Sequence, residues 1–131
     1  MSDHGYSVIV AEGYDEAVIR TRVALRAEGF SILTEMHVGG MLGPEASGRQ
    51  YLIMGSWDSA NVSTIEGSPD LRVATHLPCN VVVHESDSGT QVSALDPTED
   101  IDAADTRSMR IATEARAALE RALMQVSSPV R

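Results

Sequence analysis

Three consecutive valines behind a proline, in Leu77-Pro78-Cys79-Asn80-Val81-Val82-Val83-His84-Glu85, constrain this chain more than any other stretch. β-branched residues favour the pleat, and proline opens a strand but cannot sit inside a central one, so pairing starts at Cys79 or Asn80. Apolar residues at successive positions send apolar side chains to both faces of a sheet. That pattern predicts a strand buried on both sides.

The rest of the chain supplies partners for that strand. Tyr6-Ser7-Val8-Ile9-Val10-Ala11 reads as a first strand, with Tyr6, Val8 and Val10 on one face and Ile9 on the other. A helix follows from Tyr14 to Gly29, since the acids Asp15 and Glu16 suit its first turn and glycine suits its exit. Ala17, Val18, Thr21, Ala24 and Leu25 form its apolar stripe, and Ile19 and Val23 lie outside that stripe, four residues apart. Phe30 to Val38 alternates, placing Phe30, Ile32, Met36 and Val38 on one face and Leu33, Glu35 and His37 on the other.

After the breaker-rich Gly39–Gly48, residues Gln50 to Gly55 give a third strand that Ser56-Trp57-Asp58 closes. Asp58 suits the N-cap of a short helix through Ile65, ended by Gly67-Ser68-Pro69, and residues 70–76 are connective. Ser86-Asp87-Ser88-Gly89 is a hairpin turn, so Thr90–Leu95 pairs antiparallel with Cys79–Glu85. A long helix runs from about Asp102 to Val126, with Met109, Ala112, Ala115, Leu119, Ala122, Leu123 and Val126 in one stripe.

The order is therefore β-α-β-β-(short α)-β-β-α, which predicts an α+β fold: an antiparallel sheet of four or five strands with two main helices on one face. At 131 residues the chain suits a single domain, 1–131, with 1–5 and 127–131 as loose termini. Two helices cannot cover both faces of such a sheet. Ile9, Leu33 and one side of the valine run point to the uncovered face, so a homodimer that shields it is expected.

Composition narrows the function. A formal charge of −9 repels phosphate backbones and anionic lipid, so neither nucleic acid nor a membrane is expected as a partner. All ten bases are arginine, which removes chemistry that needs a side-chain amine, such as a Schiff base or a Walker lysine. A lone cysteine makes no internal disulfide, no secretory pattern follows Met1, and no apolar run spans a bilayer; the expected home is the cytoplasm.

The chemistry-bearing residues are few. Cys79 is the candidate nucleophile, since an imidazole such as His76 activates a thiol, while the plainer alternative is a small buried hydrophobe at a strand start. His84, five residues on, falls on the opposite face. Glu35, His37, His76, Cys79, His84 and Glu85 show no zinc spacing, and Asp100, Asp102 and Asp105 lack a calcium loop's glycine and closing glutamate. No metal and no cofactor is expected. Trp57 beside Asp58 suits a pocket floor next to a helix cap, or simply a core tryptophan.

Several short motifs occur together in a familiar order: Tyr14-Asp15-Glu16-Ala17-Val18 through Thr21 and Leu25, Glu28-Gly29-Phe30, Leu33-Thr34-Glu35, Ile53-Met54-Gly55, Leu77-Pro78-Cys79-Asn80-Val81-Val82-Val83 and Asp96-Pro97. From Tyr6 to Val126 the chain resembles the bacterial domain-of-unknown-function family numbered 302. The resemblance implies a small TATA-binding-protein-like α+β fold, commonly dimeric, without assigned catalytic residues. Where that family usually carries Cys-Asn-Pro after the third strand, this chain has Trp57-Asp58-Ser59, so a mechanism that needs two thiols does not carry over.

Three functional readings follow. The first is a non-catalytic dimeric module that binds a small molecule beside Glu35, Trp57, Asp58, Cys79 and Asn80, positions drawn from the family's motifs. The second is a thiol-dependent enzyme or redox protein using Cys79. The third is a protein-interaction module presenting Ile19 and Val23.

Overall fold

The computed structural model describes residues 5–38, 49–58, 79–87, 89–99 and 101–127, with Trp57, Asp58, Cys79 and Arg107 described by backbone alone. These residues form β1 (Gly5–Val10), α1 (Tyr14–Ala27), β2 (Phe30–His37), β3 (Tyr51–Asp58), β4 (Cys79–Ser86), β5 (Gly89–Leu95) and α2 (Thr106–Ser127). The fold is α+β, as the element order predicts. The short helix expected from Asp58 to Ile65 lies outside the described residues, as does His76.

All four strand pairings are antiparallel, and the sheet order is β1-β5-β4-β3-β2. The valine strand β4 is central, and the two strands that flank α1 in sequence form opposite edges of the sheet. Four antiparallel steps separate β1 from β2, so these edges run parallel, and a crossing connection must span about 19 Å between them. The 14 residues of α1 rise about 21 Å and, with the residues at either end of the helix, carry the chain diagonally from the end of β1 to the start of β2 at the opposite end of the sheet. Gly29, at φ 90°, ends α1 in a left-handed conformation and turns the chain into β2.

Both helices lie on one face. Their expected stripes are buried there, Ala17, Val18, Thr21, Ala24 and Leu25 from α1 and Ala112 through Val126 from α2, against Leu52, Met54, Val81, Val83 and Val92 of the sheet. Thr21, the one hydroxyl in the α1 stripe, is satisfied by the Ala17 carbonyl at 2.7 Å. The Asp105 carboxylate caps α2, accepting the Ser108 N–H at 3.1 Å, so the helix begins at Thr106 and not near Asp102. Asp102 instead accepts the Ala104 N–H in a turn.

Two expectations for the sheet need correction. The strand β3 runs on to Asp58 where an end at Gly55 was expected, because Ser56, Trp57 and Asp58 pair with Ile32, Ser31 and Phe30. In β2 the register shifts between Ile32 and Thr34, leaving Leu33 as an extra residue. A bulge of one residue flips the alternation beyond it. Phe30 and Ile32 therefore share the helix-covered face with Glu35 and His37, whereas Met36 pairs with Ile53 on the other side and is 56% exposed.

Candidate functional site

The second sheet face carries what the helices leave uncovered. Its central row is Ser7, Ser93, Val82, Ile53 and Met36, one residue from each strand in sheet order. A second row is Ile9, Gln91, His84 and Tyr51. Ile9, Met36 and Leu95 are more than half exposed, while Val82 and Ile53 are half-buried by their neighbours. In a chain with 29 charged side chains, no Asp, Glu or Arg occurs on this face among the described residues. Loss of charge at the centre with polar groups at the edge is the composition of a protein interface.

Polar side chains on the face bond to one another. Ser7 Oγ and Ser93 Oγ lie 2.8 Å apart, and Gln91 Nε2 donates to Ser93 Oγ at 3.3 Å. The Tyr51 and His84 rings stack with centroids 4.7 Å apart and planes within 4°, and the His84 Nδ1 lies 3.2 Å from the Glu85 carbonyl oxygen. Stacking of this kind holds the two rings against each other. At the rim Arg49 forms an ion pair with Asp87.

The residues expected to bind a small molecule divide between the faces. Glu35 pairs with Met54 and Asn80 with Gly55, adjacent positions of β3, so Glu35 belongs to the helix-covered side and Asn80 to the open side. Glu35 is already engaged: Arg22 Nε and Nη2 donate to its two oxygens at 2.7 and 2.6 Å. Trp57, Asp58 and Cys79 occupy register positions opposite Ser31, Phe30 and Ser56, at the same end of the sheet as Asn80. Their side chains lie outside the described residues.

A cluster that spacing along the sequence does not bring out sits between α1 and β2. Tyr14 Oη lies 3.4 Å from His37 Nδ1, beside the Arg22–Glu35 pair. Burial pushes the Tyr14 phenol up, with Asp15 and Glu85 adding to the shift, and the hydrogen bonds from Arg22 hold the Glu35 carboxyl below its usual range. A carboxyl depressed in the fold stabilises it above the unfolded value, and that contribution is lost as pH falls through the folded value. Both partners are partly exposed, so Glu35→Gln is expected to cost about 1 kcal/mol in urea unfolding at pH 7 and less in acid at pH 3. An equal cost at both values would contradict the assignment of the shift to this pair.

Ser56 is fully buried, and its hydroxyl has no hydrogen-bond partner among the described residues. An unmade bond of this kind costs about 1–3 kcal/mol, so Ser56→Ala is expected to raise stability by about 1 kcal/mol. A comparable loss on urea unfolding would mean that the hydroxyl is bonded. Asp96, in the Asp-Pro motif, holds the chain between β5 and α2 in place. Its carboxylate accepts the Thr98 N–H and hydroxyl and pairs with Arg116 of α2 at 3.5 Å. Among the described residues no three His, Cys, Asp or Glu side chains gather as a metal site, and no helix is long and apolar enough to cross a membrane.

Comparison with known proteins agrees with this architecture. The family model DUF302, described as a domain of unknown function, matches residues 6–126. The crystal structure of an uncharacterized conserved DUF302 protein from Bacillus stearothermophilus is similar with a TM-score of 0.78 at 23% identity, covering 95% of this chain and 98% of that one. No curated protein matches the sequence.

Proposed function

This chain belongs to the DUF302 family, and for this member we propose a non-catalytic binding module that works as a homodimer, two copies meeting through the uncovered sheet face. The observation that carries the reading is the absence of charge from the described part of that face, in a chain of net charge −9. Two identical acidic molecules repel across most of their surfaces. An uncharged face is where they meet without setting like charges against each other.

Size supports the same occupant. Five strands of six to eight residues present a face of about 24 by 24 Å, so two copies would bury on the order of 1,100 Å² in total. That lies just above the ~1,000 Å² expected of a specific interface. A small molecule is proposed to bind beside this interface, at the end of β3 and β4 where Asn80 is exposed and Gly55 opposite it carries no side chain, with Trp57 at a register position of the same face and Asp58 and Cys79 at register positions of the helix-covered one. Sedimentation equilibrium at pH 7.5 is the test. A species of twice 14.0 kDa at 50 µM is expected, and a monomer at that concentration would overturn the reading.

A further inference from the structure

We propose that His84 controls the interface just described: with a neutral ring it lets two copies close, and protonated it holds them apart. The inference rests on the dimer reading and adds the condition under which the dimer dissolves. His84 lies on the uncovered face near its centre, in the row with Gln91 and Ile9, and is the one described histidine placed there. Its Nδ1–H is directed to the Glu85 carbonyl oxygen, which leaves Nε2 to take up a proton.

Among the described residues this face offers a cation no carboxylate. Tyr51 stacks on the ring from β3 and gives it only a π face, a weak attraction for a cation at an exposed site, and Gln91 faces it from β5. The Glu85 carboxylate belongs to the helix-covered side and accepts the Gln50 N–H at 2.7 Å. Arg49 and Asp87 stand at the rim and answer each other's charge. Closing two such faces would bury one imidazolium from each copy without a carboxylate for either, and unpaired charge in an apolar contact opposes assembly. In a single copy water solvates the ring. Protonation therefore favours separated chains, and acid weakens the dimer.

The remainder of the chain pushes the other way, because acid reduces the negative charge of each copy and relieves their repulsion. Weakening in acid thus distinguishes His84 from a bulk charge effect. The experiment is sedimentation equilibrium of the wild type and His84→Gln at pH 7.5 and 5.5, with circular dichroism at each pH to establish that the fold persists. The expected result is a dissociation constant at least tenfold higher at pH 5.5 for the wild type and unchanged for His84→Gln. A wild-type constant that is flat or tighter in acid, or an equal weakening in both proteins, overturns the control by His84 and leaves the dimer standing. A wild type that is monomeric already at pH 7.5 overturns both.

Discussion

Gly89→Ala is expected to lower the unfolding free energy by at least about 3 kcal/mol. Gly89 opens β5 with φ 140°, a conformation that L side chains rarely adopt, and a Cβ built there would lie 2.2 Å from the Val10 carbonyl oxygen. The obstacle is backbone on the neighbouring edge strand, so no rotamer change relieves it. Either β5 moves off β1 or the hairpin opens. With a total stability typically near 5–15 kcal/mol, such a loss leaves a marginal protein. Asp87→Ala, two residues away on an exposed turn, is expected to change stability by less than about 1 kcal/mol. Urea unfolding of the two variants decides the matter, and a wild-type midpoint for Gly89→Ala would show that the β1–β5 approach is not as close as described.

The second large effect concerns association. Ser93 sits in the central row of the uncovered face, bonded to Ser7 and Gln91. Ser93→Glu sets a carboxylate in the middle of an otherwise uncharged surface, where a second copy brings an identical one. In the isolated chain the new side chain is free to point into water, so unfolding stability is expected to shift by about 1 kcal/mol or less. In the dimer the two charges are desolvated without partners, and the dissociation constant is expected to rise at least 100-fold, about 2.7 kcal/mol. Sedimentation at matched concentrations measures it. A variant that associates as tightly as the wild type would remove this face from the interface.

Much of the fold is legible in the sequence because its signals are periodic. The helix stripes, the central valine strand and the antiparallel hairpin joining β4 to β5 follow from spacing, and the structure has them where expected, but the valine strand is buried on its helix-covered face alone: Val82 is half-buried and Asn80 exposed on the other. The β2 bulge is not legible. An extra residue at Leu33 has no glycine or proline to mark it, and simple alternation carries Met36 to the wrong face. The start of α2 is obscured for a similar reason: several aspartates precede it, and only the bond from Asp105 to Ser108 selects the cap.

The candidate site is legible in part. An uncovered face and its aliphatic residues follow from two helices facing one sheet. Its freedom from charge is readable by taking every second residue of β1, β4 and β5, but a charge counted over the whole chain hides it. Motif positions group Glu35 with Asn80, yet residues that neighbour one another in a strand ladder can stand on opposite faces. The Arg22–Glu35 and Tyr14–His37 contacts join residues 13 and 23 apart and become visible only once the bulge has fixed the register.

Two methionines of nearly equal exposure offer the most direct test of whether the uncovered face meets a second copy. Met36 is 56% exposed on that face and Met124 is 58% exposed on α2. Their rates of oxidation by hydroxyl radical, read by mass spectrometry between 0.1 and 100 µM protein at pH 7.5, should diverge, with Met36 protected several-fold at high concentration and Met124 unchanged. Equal rates for both at every concentration, or protection of Met124 in place of Met36, would contradict the account.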